Sequence, residues 1–268
     1  MSRFFLIFLA SCSLHGMIVE APRFEAIEAY ASPGTLLILD IDDTLLIPAQ
    51  TLGTDAWFQH RYQENCKKGI GCPDADPLDE ALAVWEAIRH LTEVRIVEEG
   101  AARIVANLQA QGTAVMGLTT QGLALATRTV KQLRTLGFDL SKTAPRQSDC
   151  YFENGHGVLY RQGILFTSGT DKGKALIRFL ELSGARPERV VFLNDKQTHL
   201  VEVERALEKA GIEFVGLRYS YSDDRVNRFS PLIADIQFRY SSFDRILSDG
   251  EAEAILNEQL ATVAQEGS

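Results

Sequence analysis

The sequence has no run of basic residues, no apolar segment long enough to span a bilayer and little glycine or proline. Its 27 Lys and Arg are outnumbered by 36 Asp and Glu, which gives a net charge of −9. Because a nucleic-acid surface needs concentrated positive charge, we expect no nucleic-acid partner. With 20 Gly and 8 Pro in 268 residues and no internal repeat, collagen-like, low-complexity and repeat architectures are also excluded.

Cysteine is scarce, and its spacing matches no zinc site. Cys66 and Cys72 bracket a short glycine-containing segment, so they either close a small disulfide ring or remain two free thiols. Cys150 stands alone and is expected to be a buried small hydrophobe. The 46% hydrophobic content excludes intrinsic disorder and is enough to bury one large core and a smaller accessory unit.

The first residues have the pattern of an export signal. Arg3 precedes a short apolar segment at residues 4–10, and residues 9–12, which end at Cys12, resemble a bacterial lipobox. We therefore expect a leader over residues 1–21 and export, either to the periplasm or with membrane attachment through a lipid on Cys12. Two alternatives are a helix that is not cleaved and a cytoplasmic protein whose translation starts at Met17.

Four apolar runs predict strands buried on both faces of a sheet: residues 35–39, 114–118, 190–193 and 212–217. Amphipathic helical patterns precede the last three runs, and a short one covers residues 24–30. Strands that alternate with such helices indicate an α/β fold with a doubly wound, mostly parallel sheet. We assign this core to residues 22–47 and 95–243, and a C-terminal helix to residues 244–268.

Two segments interrupt the alternation. Residues 48–94 contain both tryptophans, Trp57 and Trp85, and a helix that begins with Asp76 as N-cap and Pro77 in the first turn. An apolar stripe along this helix includes Trp85 and ends at Arg89, so we predict a small, mostly helical cap. Residues 151–166 predict a β-hairpin that turns at residues 161–163.

The candidate functional side chains are concentrated at the end of the first predicted buried strand, residues 35–39. Asp40, Asp42 and Asp43 place three carboxylates within four residues at the carboxyl end of that strand. Ligand crevices of open α/β sheets lie at this edge, so a site is expected there. Crowded carboxylates must be protonated or offset by a cation, and hard oxygen ligands favour Mg²⁺.

The stretch from Asp40 through Asp42 to Thr44 resembles the first motif of the haloacid dehalogenase (HAD) superfamily of aspartate-nucleophile phosphohydrolases. Thr119 follows the apolar run at residues 114–118, at the position where the second motif of the family has a hydroxyl side chain. Lys172 opens a helix as in the third motif, and Asn194 and Asp195 end a later strand as in the fourth. Because the four motifs occur in order, the resemblance is more specific than any one of them. The segment around Trp57 is similar to a poorly characterised bacterial branch.

The resemblance implies a Mg²⁺-dependent phosphatase acting on a small phosphate ester. Asp40 is the implied nucleophile, Asp42 the implied acid and base, and Lys172 the group that orients Asp40. The implied substrate contacts are Thr44, Thr119, Thr120 and Lys172, and the implied metal ligands are Asp40, Asp42 through its backbone carbonyl, Asp195 and Asn194. A phosphate ester is favoured over an organohalide, because only the ester has a leaving alkoxide for Asp42 to protonate.

Several alternatives stay open at this level. Lys174 competes with Lys172 for the third-motif role, and Thr120 competes with Thr119. Asn194 supplies an amide where the family often has a carboxylate, which would weaken metal binding. Gln121 stands where many members have Asn or Arg. Other functions with this site are a phosphotransferase and an exported, HAD-like binding or surface protein with little or no catalysis; no protein partner is deducible.

Overall fold

A computed structural model describes residues 16–68 and 76–266. Cys12, Cys72 and the apolar segment at residues 4–10 lie outside the described residues, and with them the predicted lipid attachment and disulfide. Cys66 is exposed and Cys150 is partly buried. Within the described ranges, no helix has both the length and the apolar character needed to cross a membrane.

The strands, in chain order, are β1 (Met17–Ala21), β2 (Thr35–Leu39), β3 (Leu46–Pro48), β4 (Val94–Ile96), β5 (Ala114–Thr119), β6 (Cys150–Asn154), β7 (His156–Arg161), β8 (Ile164–Phe166), β9 (Arg189–Asn194) and β10 (Glu213–Tyr219). The α-helices are α1 (Asp55–Lys68), α2 (Pro77–Leu91), α3 (Ala101–Ala110), α4 (Ala126–Thr135), α5 (Lys172–Ser183), α6 (Gln197–Ala210), α7 (Asp223–Asn227), α8 (Pro231–Tyr240) and α9 (Asp249–Glu266). Short 3₁₀ helices cover Phe24–Tyr30 and Leu123–Leu125.

The predicted doubly wound, mostly parallel sheet is confirmed. Its strand order is β1-β10-β9-β2-β5-β8-β7-β6, and the pairings are parallel from β1 to β8. Every residue of β2 is buried. Leu37 and Leu39 belong to one hydrophobic cluster with residues of α3 and α4, whereas Leu36 and Ile38 belong to another with residues of α5 and α6. Because successive strand residues point to opposite faces, helices cover the sheet on both sides.

The predicted hairpin forms where the sequence places it. β7 and β8 pair antiparallel, with Arg161 opposite Ile164. The two residues between them, Gln162 and Gly163, both have positive φ, 51° and 84°. This is the backbone that a two-residue hairpin turn requires. At Gly163 a Cβ atom would lie 2.2 Å from the carbonyl oxygen of Leu140, so no larger residue fits.

The N-terminal boundary differs from the prediction. Residues 17–21, which the sequence analysis placed in the leader, form β1 and extend the sheet by pairing in parallel with β10. The neighbouring Glu98 carboxylate accepts hydrogen bonds from the backbone N–H of Phe24 and the hydroxyl of Tyr219, both at 2.8 Å. A chain that keeps this whole edge strand must therefore begin at or before Met17.

The predicted cap corresponds to the segment between β3 and β4, which pair antiparallel at its base. It consists of α1 and α2 in the described residues. Asp76 caps α2 as predicted, since its carboxylate accepts a hydrogen bond from the backbone N–H of Leu78 at 2.9 Å. Trp57 and Trp85 are buried in a separate hydrophobic cluster of the cap.

The C-terminal region packs against this cap. The side-chain oxygen of Gln237 in α8 accepts a hydrogen bond from the backbone N–H of Leu52 at 2.8 Å, and Asp249 at the start of α9 accepts one from Thr51 at 2.8 Å. Ala234 of α8 lies in the same cluster as Trp57. The sequence analysis assigned the segment of α8 to the core and predicted a separate C-terminal helix, whereas α8 and α9 together support the cap.

The edge strand can be tested by deletion. A chain that begins at Pro22 loses β1 and the buried Ala21, so we expect its free energy of unfolding to fall by about 2 kcal/mol or more relative to a chain that begins at Gly16. Urea denaturation of the two chains measures this difference. Equal midpoints and slopes would show that β1 contributes nothing to the folded sheet.

Candidate active site

Three neighbouring strands end at residues that the sequence analysis selected. Asp40 follows β2, Thr119 ends β5 and Asn194 ends β9, and β2 pairs in parallel with both other strands. The carboxyl ends of these strands therefore meet at one edge of the sheet. Asp40 is only 5% exposed, and its backbone N–H donates to the carbonyl oxygen of Leu193 at 3.0 Å, which joins it to β9.

Lys172 at the start of α5 pairs with Asp40. Its Nζ donates to Oδ1 of Asp40 at 2.6 Å, and Lys172 is 1% exposed. Lys174 is exposed, so the structure places the first of the two candidate lysines in the site. Gly173 allows α5 to approach α6 closely, because a Cβ atom there would lie 2.4 Å from the carbonyl oxygen of Glu202.

The buried carboxylates are only partly neutralised. Burial raises the pKa of Asp40 above its ordinary value, and the ion pair with Lys172 offsets only part of that effect. Burial, followed by the nearby Asp40 carboxylate, raises the pKa of Asp195 well above the usual range. Burial lowers the pKa of Lys196, but Asp55, which it contacts at 2.7 Å, and Asp195 outweigh this effect and raise it. A further cation would therefore be stabilised here.

The residues present fit a hard cation such as Mg²⁺. Oδ1 of Asp195 is buried and has no hydrogen-bond partner. Oδ1 of Asp40 accepts a hydrogen bond from Lys172 and keeps a second lone pair that can ligate a cation, which leaves the other carboxylate oxygen free. Among residues 16–68 and 76–266, no cluster of three or more His, Cys, Asp or Glu side chains is arranged around a metal position. The side-chain donors are thus two carboxylates, and a backbone carbonyl would have to supplement them.

The side chain of Asn194, a predicted metal ligand, takes part in the turn that follows β9. Its side-chain oxygen accepts a hydrogen bond from the backbone N–H of Lys196 at 2.7 Å, which fixes the turn after β9. The remaining polar atom of this side chain is Nδ2, a buried donor without a partner. The amide oxygen has a second lone pair, so the role of Asn194 as a metal ligand stays a prediction.

Asp42 is held from two sides. Its Oδ1 accepts a hydrogen bond from Nη1 of Arg89 in the cap at 2.5 Å. Its Oδ2 accepts one from Nε2 of Gln121, after β5, at 2.7 Å. The Oε1 atom of Gln121 in turn accepts from the hydroxyl of Thr129 at 2.5 Å, which orients the amide. Asp42 therefore connects the cap to the core.

The three predicted hydroxyl contacts have different surroundings. Thr119 is 1% exposed, and its hydroxyl oxygen accepts a hydrogen bond from the backbone N–H of Gln121 at 3.2 Å. The hydroxyl of Thr44 is buried and has no partner. Thr120 is half-buried, and its carbonyl oxygen accepts from the N–H of Gly169 at 2.9 Å. Thr44 thus has a free hydroxyl near the loop that carries Asp42.

Asp43 belongs to the supporting structure. It adopts a positive φ of 59°, forms an ion pair with Arg225 in α7, and its carbonyl oxygen accepts from the hydroxyl of Ser222 at 2.5 Å. Burial raises the pKa of Asp43 to about 6, although Arg225 acts in the opposite direction. These contacts hold the loop after Asp42 against α7.

The sequence analysis did not identify Lys196 and His199 as site residues, and it did not predict the contact of Arg89 with Asp42. Lys196 follows Asp195 directly, so its proximity was a readable signal. His199 was not among the predicted site residues, yet its Nδ1 is buried without a partner. Burial, with Lys172 and then Lys196 acting in the same direction, lowers the pKa of His199 to about 2, so the ring is neutral. The contact of Arg89 with Asp42 had no signal beyond its position in an apolar stripe.

The fold and the site define an α/β protein with a helical cap and a lysine-paired aspartate at the carboxyl edge of its sheet. The chain belongs to the family described as "Protein of unknown function (DUF2608)", whose model matches residues 20–253. A "Putative outer membrane protein" of Chlamydia pneumoniae is 26% identical and aligns over 96% of this chain and 97% of its own length. A protein of the same description from Chlamydia trachomatis is 24% identical, over 82% and 81%.

Solved structures that align with most of this chain have low sequence identity to it. A hydrolase from Pseudomonas syringae gives a TM-score of 0.42 at 13% identity, covering 73% of this chain and 99% of its own. A haloacid dehalogenase-like family protein from Streptococcus pneumoniae gives 0.40 at 13% identity, covering 68% and 93%.

Substitution of Lys172 tests how much its buried ion pair with Asp40 contributes to stability. Lys172→Met leaves the Asp40 carboxylate buried without its partner, so we expect the free energy of unfolding to fall by about 3 kcal/mol or more. Lys174→Met, two residues away on the exposed side of the same helix, should change it by less than about 0.5 kcal/mol. Guanidinium denaturation compares the two variants, and equal effects would contradict the assignment.

Proposed function

We propose that the protein is a Mg²⁺-dependent phosphohydrolase that acts on small phosphate monoesters through an aspartyl-phosphate on Asp40. The observation that carries the proposal is the buried pair of Asp40 and Lys172 at the carboxyl edge of the sheet, with Asp195 beside it and Asp42 two residues further on. The order of the four motifs along the chain, which resembles the HAD superfamily, supports the same reaction.

In the proposed reaction, Asp40 forms and breaks the bond to phosphorus, and Asp42 carries out the proton transfers. The free carboxylate oxygen of Asp40 attacks phosphorus, a P–O bond to Asp40 forms, and the ester P–O bond breaks. Protonated Asp42 gives its proton to the departing alkoxide. Asp42, now a carboxylate, then takes a proton from water, whose oxygen attacks phosphorus and releases inorganic phosphate from Asp40. For these transfers one oxygen of Asp42 must exchange its hydrogen bond from Arg89 or Gln121 for one to the reacting group.

The other site groups position the phosphoryl oxygens. Lys172 orients the nucleophile through Oδ1 of Asp40 and supplies positive charge next to it. The hydroxyls of Thr44 and Thr119 are donors at the same edge of the sheet, and the hydroxyl of Thr44 has no other partner. Thr120 is a further substrate contact in the proposal. A second proposed acceptor, an alcohol in place of water, would make the same site a phosphotransferase.

Asp40, Asp195 and the backbone carbonyl of Asp42 would hold the Mg²⁺ ion. When bound, the ion neutralises negative charge on the phosphoryl oxygens and on the nucleophile. The buried, unpartnered oxygen of Asp195 and the raised pKa of that carboxyl support this assignment.

We also propose that the protein is exported. The apolar segment after Arg3 supports this, and so does the description of the chlamydial relatives as "Putative outer membrane protein". A fusion of residues 1–30 to a reporter that is active only outside the cytoplasm should be active. Deletion of residues 4–10 should abolish this activity, and equal activity of both fusions would contradict export.

Hydrolysis is tested with p-nitrophenyl phosphate and the full chain. Asp40→Asn removes the nucleophile, so we expect phosphate release in Mg²⁺ to fall at least about 10³-fold, and EDTA should abolish it. Asp149→Asn changes the same group at an exposed ion pair with Arg161 and should retain full activity. Activity that survives both Asp40→Asn and EDTA would contradict the mechanism.

Mg²⁺ binding is tested without turnover by isothermal titration calorimetry. Asp195→Asn removes one of two anionic ligands, and we expect the dissociation constant to rise at least about 10-fold. Asp223→Asn, which alters an ion pair with Arg218 on the surface, is the matched control and should bind as the wild type does. Unchanged binding by Asp195→Asn would place the metal elsewhere.

A further inference from the structure

Arg89 is an arginine that the fold buries almost completely. It lies in the last turn of α2, is 1% exposed, and places its guanidinium 5.1 Å from the ring centre of Trp85. This cation–π contact with Trp85 restricts the orientation of the guanidinium.

Only part of its hydrogen-bonding capacity is used. Nη1 donates to Oδ1 of Asp42 at 2.5 Å, whereas Nε and Nη2 are both buried and have no partner. A buried charged donor without an acceptor is costly, so native structures seldom keep two of them on one group. Nε and Nη2 form the side edge of the guanidinium, where two parallel N–H bonds match the two oxygens of a carboxylate.

We propose that this free edge of Arg89 is a subsite for a carboxylate of the substrate. The inference rests on the proposed phosphohydrolase function, because it places the carboxylate next to Asp42, the acid that protonates the leaving oxygen. The substrate class is then a phosphate monoester of a short hydroxy acid. A carboxylate suits the site better than a second phosphoryl group. With Asp42 in the protonated form that the proposed reaction requires, the single charge of Arg89 balances one monoanion, whereas a phosphoryl dianion would leave uncompensated negative charge.

The subsite also explains why a cap residue contacts Asp42. A carboxylate on Nε and Nη2 would satisfy both buried donors, and Nη1 would keep its contact with Asp42. The hydroxy acid would thus complete the hydrogen bonding of Arg89 when it enters, whereas a neutral alcohol would leave the same donors unsatisfied. Discrimination against a ligand that leaves buried polar groups unpaired is larger than discrimination by size alone.

The test uses two matched pairs of phosphate esters on the full chain with Mg²⁺. 2-Phosphoglycolate is compared with 2-hydroxyethyl phosphate, and 3-phosphooxypropanoate with 3-hydroxypropyl phosphate; within each pair a carboxylate is replaced by CH₂OH. We expect kcat/KM to favour the carboxylate ester at least about 10-fold in one pair. Calorimetric binding of the same esters to Asp40→Asn should show the same preference in the dissociation constant.

Two variants assign the preference to Arg89. Arg89→Lys keeps the positive charge but removes the paired Nε and Nη2 donors. The preference in kcat/KM for the carboxylate ester should therefore fall to less than about threefold, while the neutral ester is still bound. Arg128→Lys is the control, since Arg128 also has a buried Nε without a partner and donates to the carbonyl oxygen of Thr92, yet makes no contact with Asp42. It should keep the full preference. Thermal melts of both variants establish that the cap remains folded.

The outcomes separate the subsite from the reaction. Equal hydrolysis of both members of each pair would overturn the subsite and leave the phosphohydrolase intact. Carboxylate-selective binding that depends on Arg89, without any hydrolysis by the wild type, would support the subsite and contradict the reaction. A preference that Arg89→Lys retains, or no preference in either hydrolysis or binding, would overturn the inference.

Discussion

The ion pair of Asp40 and Lys172 is the interaction on which the site depends. Both groups are nearly inaccessible to water, and each would be strongly unfavourable without the other. The parallel sheet brings Asp40 to its carboxyl edge, and the close packing of α5 on α6 at Gly173 brings Lys172 to the same place. Even so, burial raises the pKa of Asp40 and of Asp195. The core thus carries an excess of buried negative charge, which is the physical reason to expect a cation there.

Two cap residues contact this site, Arg89 at Asp42 and Asp55 at Lys196, and the C-terminal helices support the cap. Arg89 reaches Asp42 from α2, while Gln237 in α8 bonds to the backbone of Leu52 at the base of the cap. The cap is therefore held at two places: at the candidate active site, where Arg89 contacts Asp42, and at the C-terminal helices α8 and α9. Because Trp57 is buried in one cluster with Ala234 of α8, its role is structural packing.

The parts of the fold that follow from local patterns could be predicted from the sequence. The buried run at residues 35–39, the Asp76 cap and the turn at Gly163 all carry their signal within a few residues. Contacts between distant residues carry no such signal. The engagement of the Asn194 oxygen by a backbone N–H and the contact of Arg89 with Asp42 depend on how whole elements pack. The strand at residues 17–21 was missed because five residues beside an apolar leader have no pattern of their own.

The most direct test of the account is to trap the intermediate on Asp40. The full chain is mixed with Mg²⁺ and acetyl phosphate, quenched in acid and reduced with borohydride, which converts an aspartyl-phosphate to homoserine. Peptide mass spectrometry then locates the homoserine. The account predicts homoserine at position 40, absent when EDTA is present or when Lys172 is replaced by Met. An unmodified Asp40, or homoserine at another aspartate, would contradict the claim that Asp40 is the nucleophile.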